Sequence, residues 1–513
     1  MKSKSATADG PSTKKSAFSE CGLQRAVESL KEEIRELYLA DDVPWIVGYS
    51  GGKDSTATLQ LIWLALRDLP REQYSKPVHV ISTDTLVENP VVASWVTRSL
   101  ETMQRAADEQ HVPISPHRLT PRTEDSFWVN LIGKGYPAPR HKFRWCTERL
   151  KIKPSNAFIS GVVKESGEAI LVLGTRKAES ARRSANMTKH EAGRVRDRLS
   201  PNVSLPGSLV YTPIEDWSND DVWMFLMQSS NPWGYNNKDL LGMYAGASAD
   251  GECPLVVDSS TPSCGDSRFG CWVCTLVEQD KSMTAMIQND EEKEWMLPLL
   301  RLRNKLDFRM MGNGDMDSSD RHLRDFRRMS GAVQLMKAGK EIPGPYLQSA
   351  REDWLKQLLH AQTWIRKNGP ADVCKIELIT LSELQEIRRI WVVEKHELED
   401  SLPRIYQEET DEPYPGGRLD DSMELHAADL AFLQETCGDD RLHYELAREL
   451  LSITRQSRND QKRAKHYERL ENAFGKHYYK DAEDALGRAH HKATLRAGSD
   501  DLSAANKLSE ESE

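Results

Sequence analysis

Short apolar runs alternate with longer segments of helical spacing through the first half of the chain. The run at 43–48 ends at a glycine pair, and apolar residues then recur at helical spacing from Thr58 to Leu66. Further short apolar runs, each followed by a helical segment or a loop, lie at 78–83, 114–119 and 170–174. Strands that alternate with helices predict an α/β fold built on a doubly wound parallel sheet, with its ligand crevice at the carboxyl ends of the strands.

The last third of the chain has a different pattern. From about residue 290 onward it is rich in Leu, Trp, Arg and Glu at helical spacing, and 383–396 and 442–453 are clear amphipathic examples. We therefore predict five regions: a disordered tail (1–19), a nucleotide-binding domain (20–235), a cysteine segment (236–290), a mostly helical C-terminal domain (291–497) and a flexible tail (498–513).

The first predicted strand leads into a loop with the residues of an anion site. A strand, a tight turn and a helix in this order bring unpaired amides and the positive end of a helix dipole to one place, which favours a phosphate. The glycines allow a positive φ and close approach of the backbone, the serines add hydroxyl donors, and the lysine adds charge. The predicted phosphate-binding residues are Ser50, Gly51, Gly52, Lys53, Asp54 and Ser55.

This loop is not a Walker A motif. That motif needs glycine where Val47 stands and serine or threonine where Asp54 stands. The segment Ser-Gly-Gly-Lys-Asp-Ser instead resembles the pyrophosphate-binding loop of the ATP pyrophosphatase superfamily, whose members cleave ATP between the α and β phosphates. The alternative is a glycine-rich turn without a ligand, but its position between a strand and a helix favours the phosphate loop.

Three more candidates follow other predicted strands. Asp84 ends the second strand, and Gly174 and Arg176 follow the strand at 170–174. Because the carboxyl ends of parallel strands lie at one edge of the sheet, we expect all three near the loop. Arg176 offers a planar donor for phosphate oxygens, and the alternative role for it is a surface salt bridge.

Composition and charge narrow the class of protein. The 513 residues carry a net charge of −10, so binding to nucleic acid requires a local patch or a partner. No apolar run approaches the roughly 20 residues of a membrane helix, and no apolar signal segment opens the chain, so we expect a cytoplasmic protein without membrane contact.

Five of the eight cysteines lie between Cys146 and Cys274. Such clustering in a large chain without an export signal indicates a metal site rather than disulfides. The pair Cys271 and Cys274 places two thiolates within reach of one centre, with Cys253 and Cys264 upstream. Spacing alone leaves zinc, which it slightly favours, an iron–sulfur cluster and ordinary buried thiols as alternatives.

Longer motifs give a more specific resemblance. The segment at 173–183 and the Trp-Ser-Asn-Asp-Asp-Val-Trp run at 217–223 resemble the phosphoadenosine-phosphosulfate reductase family. The segment at 144–151 and the cysteine segment at 251–275, together with the phosphate loop, resemble the DndC family of DNA phosphorothioation sulfurtransferases. The likeness covers about residues 20–290.

This resemblance implies a fold of the adenine-nucleotide α-hydrolase type and an ATP-dependent sulfurtransferase. It implies a [4Fe-4S] cluster held by Cys146, Cys264, Cys271 and Cys274, with Cys253 as the competitor for the second position. ATP would activate a DNA backbone phosphate by adenylylation, with Lys53, Asp54 and Arg176 as the catalytic residues and Asp54 or Asp84 holding Mg²⁺. The implied partners are DNA, a cysteine desulfurase as sulfur donor, and other subunits of the phosphorothioation complex.

Three alternatives remain open. An iron–sulfur tRNA thiolase also combines a pyrophosphatase loop with a cluster. A sulfonucleotide reductase needs a Glu-Cys-Gly-x-His tail, and neither Glu20-Cys21-Gly22 nor Thr436-Cys437-Gly438 supplies it. A nucleotide-sensing scaffold subunit of a DNA-modification complex would bind nucleotide without releasing pyrophosphate.

Overall fold

The computed structural model describes residues 16–191, 193–194, 196, 198–248, 269–307, 320–336, 339–417, 419, 427–456 and 463–495. Its contacts divide the chain into two compact units. The first comprises 1–121, 144–274 and 279–300, and the second comprises 122–143, 275–278 and 301–513.

A six-stranded, mostly parallel sheet forms the centre of the first unit. Its strands are β1 (Trp45–Gly48), β2 (Val78–Thr83), β3 (Ile114–Leu119), β4 (Ala169–Val172), β5 (Ser200–Pro201) and β6 (Ser208–Tyr211). Their spatial order is β3-β2-β1-β4-β6-β5, and only the β5–β6 pair is antiparallel among the described strands. The order changes direction between β1 and β4, and a crevice for a ligand opens at such a point.

Helices connect and cover these strands. They are α1 (Leu23–Leu39), α2 (Lys53–Arg67), α3 (Pro90–Gln110), α4 (Lys153–Ser166), α5 (Ala181–Glu191), α6 (Asn219–Gln228), α7 (Asn237–Gly246) and α8 (Lys281–Asn289). The main core lies between the sheet and the helices and is rich in aromatic residues. The side chains of Trp45, Trp63 and Trp223 are fully buried in it. Burial of such large apolar side chains stabilises the sheet and fixes where its carboxyl edge lies.

The predicted α/β class, parallel sheet and helical C-terminal region are confirmed. The predicted strands at 78–83 and 114–119 coincide with β2 and β3. Asn89 caps α3 by accepting a hydrogen bond from the Val91 amide, and Ser218 with Asp221 forms the capping box of α6. The residue spacing at 124–132 also predicts a helix, and the structure there has a 3₁₀ turn (Thr123–Asp125) followed by a π-helical turn (Val129–Gly133).

The described chain begins inside the segment predicted as a tail. Ser16 and Ala17 both donate hydrogen bonds to the Asp221 carboxylate, and Phe18 packs edge-on against Trp217 at 5.1 Å between ring centres. Phe18 is buried in the main core. Residues 16–18 therefore belong to the packed domain.

The second unit is helical. Its helices are α10 (Gln348–Asn368), α11 (Leu381–Arg389), α12 (Ser401–Thr410), α13 (Ala427–Cys437), α14 (Arg441–Gln456) and α15 (Arg463–His477), and α9 (Leu297–Leu306) spans the boundary between the two residue sets. The π-helical turn at Val129–Gly133 belongs here: the Trp128 indole donates to the Leu378 carbonyl and the Trp391 indole donates to the Ile132 carbonyl. The segment 122–143 thus packs with residues more than two hundred positions later, which its local sequence does not indicate.

Within the described parts of the chain, no helix combines the length and the apolar character that crossing a bilayer requires.

Candidate active site at the carboxyl edge of the sheet

The glycine-rich loop joins β1 to α2 as predicted. Gly51 has a φ of +73°, and the amide of Thr56 donates to the Gly52 carbonyl, which closes the first helical turn. The Ser55 hydroxyl accepts a hydrogen bond from the Ser50 amide and lies 3.1 Å from the Ser50 hydroxyl. Because the first amides of a helix have no acceptor within the helix, this fixed turn presents donors to an anion.

The three predicted catalytic side chains lie together, and their charged groups are already paired with one another. Asp54 accepts a hydrogen bond from Arg176 Nε at 2.7 Å on one oxygen and from Lys53 Nζ at 3.2 Å on the other. Arg176 also donates to the Trp217 carbonyl, and only 4% of its side chain is exposed. Arg176 is therefore a buried side chain rather than part of a surface salt bridge, and it fixes the position of the partly exposed Asp54. Direct contact of Arg176 with a phosphate remains a prediction.

Asp84 has a partner that the sequence reading did not single out. Its carboxylate forms an ion pair with Arg118, the penultimate residue of β3, and accepts a hydrogen bond from the Leu86 amide at 2.8 Å. Both carboxylates proposed for Mg²⁺ thus have partners on each oxygen. A cation bound there would have to share these carboxylates with the arginines and with Lys53.

Gly174 allows β4 to end directly against α2. A Cβ atom built on Gly174 would lie 2.7 Å from the Asp54 carbonyl oxygen and 2.9 Å from the Thr58 hydroxyl. The first of these neighbours is backbone and cannot rotate away. Glycine is therefore required at this position by close approach, since its φ lies outside the left-handed region.

We expect Gly174→Ala to displace the start of α2. The overlap with backbone should lower the free energy of unfolding by about 1–3 kcal/mol and weaken pyrophosphate binding, because the loop amides move with the helix. Urea unfolding and calorimetric titration with magnesium pyrophosphate measure the two effects.

Gly161→Ala is the matched control for this substitution. Gly161 lies in α4 with no heavy atom within 4 Å of a built Cβ, so alanine there should leave stability equal or slightly higher. If Gly174→Ala matched Gly161→Ala in both measurements, the close-approach argument would be wrong.

The described end of the cysteine segment docks on the loop after β2. Glu88 and Cys271 form an antiparallel bridge, the Asn89 amide donates to the Gly270 carbonyl, and the Trp272 amide donates to the Val87 carbonyl. The Cys274 amide donates to the Cys271 carbonyl, which brings the two thiols onto one tight turn. We call residues 269–274 the cysteine hairpin.

Three of the predicted metal ligands are described, and they lie near one another. Burial raises the pKa of the Cys146 thiol, and the neighbouring Cys274 thiol adds to the rise. Burial and then the Glu88 carboxylate raise the pKa of Cys271 to about 12. The Cys271 thiol is also 3.4 Å from the Thr85 hydroxyl and 3.8 Å from Glu88 Oε1. Without metal the Cys146 and Cys271 thiols therefore remain protonated at neutral pH, so binding of a metal to them would release protons.

The donor chemistry fits a thiolate-held centre. Cys146, Cys271 and Cys274 come from two segments of one unit, and Cys264 and Cys253 lie outside the described residues. As they stand, no three His, Cys, Asp or Glu side chains of the described chain are arranged around a single ion. Lys151 lies beside them: burial disfavours its charge, but Cys271 and Glu88 outweigh this and raise the pKa of the Lys151 ammonium. A cation here would balance the negative charge of thiolates.

A cavity of about 1130 Å³ connects these features. Its lining includes the whole glycine-rich loop, Asp84, Gly174 and Arg176, and also Glu88, Lys151 and Phe269 from the surroundings of the cysteine hairpin. The volume exceeds the upper end of the usual range for a small-ligand pocket, about 1,000 Å³, so a nucleotide would leave space for a second reactant.

Ion pairs neutralise most of the cavity charge. Among the described lining residues, the cation–carboxylate pairs are Lys53 and Arg176 with Asp54, Arg118 with Asp84, Lys151 with Glu88, and Arg183 with Glu179. Five cations against four carboxylates leave an excess of one positive charge. A triphosphate carries several negative charges, so a divalent cation would be needed to bind it here.

The lining also includes polar residues that were not predicted as site residues, among them Arg118, Glu88, Lys151 and Tyr244. Arg118 carried a usable signal, because it is the penultimate residue of a predicted strand and lies at the same edge as Asp84. Lys151 lies in the segment at 144–151 and Glu88 follows the second predicted strand, but only the tertiary structure brings the two side chains together, at 3.3 Å. Tyr244 lies in α7, a helix that the sequence pattern did not predict, and it gave no local signal.

Comparisons with known proteins match part of this chain. Residues 44–237 match the model of the phosphoadenosine phosphosulfate reductase domain, so the chain contains a domain of that kind. An uncharacterized protein of Methanocaldococcus jannaschii is 28% identical over 201 residues, which are 39% of this chain and 35% of that protein. The match therefore spans about a third of the relative's length.

Two solved structures align with large parts of the chain at low similarity. One is the Candida glabrata FMN adenylyltransferase in complex with FAD and inorganic pyrophosphate, at 12% identity and a TM-score of 0.26, covering 47% of this chain and 69% of that one. The other is the U34-tRNA thiolase NcsA from Methanococcus maripaludis with its [4Fe-4S] cluster, at 15% identity and a TM-score of 0.25, covering 55% and 79%.

Proposed function

Because residues 44–237 form a phosphoadenosine phosphosulfate reductase-like domain, we propose that this chain is an ATP-dependent sulfurtransferase of DNA phosphorothioate modification. The observation that carries the proposal is one shared cavity: its wall includes the phosphate loop at one side and the residues that contact the cysteine hairpin at the other. Activation by a nucleotide and delivery of sulfur need such proximity, because the activated phosphate must meet the sulfur before water does.

The proposed chemistry has two displacements. A non-bridging oxygen of the DNA phosphate attacks the α-phosphorus of ATP, the bond to the bridging oxygen breaks, and pyrophosphate leaves. The terminal sulfur of a desulfurase persulfide then attacks the adenylylated phosphorus, and AMP leaves with the original oxygen. Two electrons from a thiol reductant cleave the remaining S–S bond and leave the phosphorothioate.

The residues of the loop stabilise the first displacement. Charge accumulates on the departing pyrophosphate, where the loop amides, the Ser50 and Ser55 hydroxyls and the Lys53 ammonium can donate to it. Asp54 and Asp84 are the carboxylates that would bind Mg²⁺, and Arg176 holds Asp54 in place through its Nε. This is why substitution of Arg176 should act through Asp54.

Cys146, Cys271 and Cys274, with Cys264 or Cys253, would hold a [4Fe-4S] cluster. When bound, such a cluster supplies either electrons or a site for sulfur close to the activated phosphate. The hydrogen bonds between 87–89 and 270–272 hold the Cys271 thiol 3.8 Å from Glu88, a residue of the cavity lining.

Sulfur incorporation tests the acceptor. We expect anaerobically purified protein with MgATP, a cysteine desulfurase, labelled cysteine and a thiol reductant to place sulfur in the backbone of supplied DNA, detected as phosphorothioate-linked dinucleotides after nuclease digestion. The Lys53→Ala variant is the negative control.

Each alternative activity predicts a different product in the same assay. A labelled tRNA base in place of labelled DNA would favour the tRNA thiolase, and reduction of a supplied sulfonucleotide would favour the reductase. Nucleotide binding without pyrophosphate release in any mixture would favour the sensing scaffold.

A further inference from the structure

Tyr244, near the end of α7, reaches into the glycine-rich loop. Its hydroxyl accepts a hydrogen bond from the Lys53 amide at 3.3 Å. A Cβ atom on Gly52 would lie only 3.1 Å from this hydroxyl, so the glycine provides the space for it. The Lys53 amide is the first of α2 and is one of the donors that a phosphate would use. The tyrosine hydroxyl therefore occupies a phosphate-binding position.

The ring of the same tyrosine packs against the cysteine hairpin. It meets Phe269 edge-on at 4.8 Å between ring centres, and it meets Trp223 in the same way at 5.3 Å on α6. Phe269 lies two residues before Cys271, on the hairpin that bonds to 87–89. Edge-to-face pairs of this kind contribute about 0.5–1.5 kcal/mol each beyond simple burial.

Tyr244 is also suited to remain a neutral hydroxyl. Burial raises the pKa of Tyr244 to about 12, so it keeps its proton at physiological pH. Its ring lies 5.5 Å from Lys53 Nζ, a cation–π distance, and both side chains line the cavity. The tyrosine thus contacts the loop twice and the cysteine hairpin once.

We propose that Tyr244 is a positioning residue that couples occupation of the phosphate loop to the cysteine hairpin. A bound phosphate takes the Lys53 amide and displaces the Tyr244 hydroxyl. The ring then loses its anchor on the loop, and its packing on Phe269 loosens. The hairpin with Cys271 and Cys274 becomes more mobile when the nucleotide site is filled. The inference rests on the proposed phosphate-binding role of the loop.

Tyr244→Phe separates the hydroxyl from the ring. Without the hydroxyl there is no hydrogen bond to displace, so the variant should bind magnesium pyrophosphate about 2- to 10-fold more tightly than the parent chain. In the full-length, metal-free protein, amide hydrogen exchange of a peptide covering 269–277 should accelerate when pyrophosphate is added. In Tyr244→Phe this exchange should already be fast and should not respond.

Tyr235→Phe is the matched control. It removes another partly buried tyrosine hydroxyl of the same unit. The Tyr235 hydroxyl donates a hydrogen bond to the Trp95 carbonyl at 3.2 Å and does not contact the loop. This variant should bind pyrophosphate and respond in exchange like the parent chain. Acceleration confined to the parent and Tyr235→Phe would support the coupling.

Two results would overturn the inference while leaving the proposed function intact. One is a parent chain that binds pyrophosphate with hairpin exchange unchanged or slowed. The other is Tyr244→Phe that binds with the parent's affinity and shows the parent's response. Failure of the parent chain to bind either pyrophosphate or MgATP would instead remove the proposed function, and the coupling with it.

Discussion

Replacement of Lys53 by alanine is expected to reduce pyrophosphate release from ATP by at least about 10²- to 10³-fold, to the limit of detection. The ammonium of Lys53 is the cation of the phosphate loop itself, and it is positioned at 3.2 Å from Asp54 at the wall of the cavity. Removing it takes away the charge that stabilises the departing pyrophosphate. A coupled phosphate-release assay with DNA and the sulfur donor measures the rate.

The fold should survive this substitution, because Asp54 keeps its ion pair with Arg176 at 2.7 Å. Circular dichroism and the thermal midpoint should therefore remain close to those of the parent chain. Lys164→Ala is the matched control, since Lys164 is exposed on α4 and away from the cavity lining. Unchanged pyrophosphate release in Lys53→Ala would refute the assignment of the loop.

Replacement of Cys271 by serine is expected to remove nearly all bound iron. The protein purified without oxygen should be brown, with broad absorption in the blue part of the visible spectrum, and the variant should be colourless. The physical reason is that the binding energy of a thiolate centre comes from a complete set of deprotonated ligands, and Cys271 is the first residue of the tight turn that ends at Cys274. Iron and acid-labile sulfide per chain are the measurements.

Cys374→Ser should keep its full iron content, because Cys374 is an exposed thiol of the second unit. Parallel variants at Cys253 and Cys264 would identify the fourth ligand: only the true ligand should match the loss seen with Cys271→Ser. A colourless parent protein that contains one zinc ion would contradict the cluster and return the site to structural zinc.

The phosphate loop shows why a site formed by neighbouring residues could be predicted from the sequence. Gly51, Gly52, Lys53 and Ser55 lie within one short segment, and a strand-to-helix turn with these residues has few other uses. The caps at Asn89 and at Ser218 with Asp221 are local in the same way, because a cap is a contact between residues two or three positions apart. The central strands are buried on both faces, so they can be recognised in the sequence as continuous apolar runs.

Partners distant in the sequence could not be read in this way. Arg118 was not assigned to Asp84, and the pairing of Arg176 with Asp54 joins residues 122 positions apart. The strands β5 and β6 were not predicted, because β5 has only two residues and β6 gains its stability from pairing with β4. Side chains that meet only after the sheet has formed leave no periodic signal in the chain.

The sequence by itself determined the alternation of strands and helices, the phosphate loop and the clustering of thiols, because each is a local pattern of residue types. Only the tertiary structure decided that the loop and the residues around the cysteine hairpin line one cavity, that its cations are already paired with carboxylates, and that Tyr244 contacts both loop and hairpin. These relations depend on the strand order and on the docking of 269–274 against 87–89. Together they bring into contact residues up to 191 positions apart in the sequence.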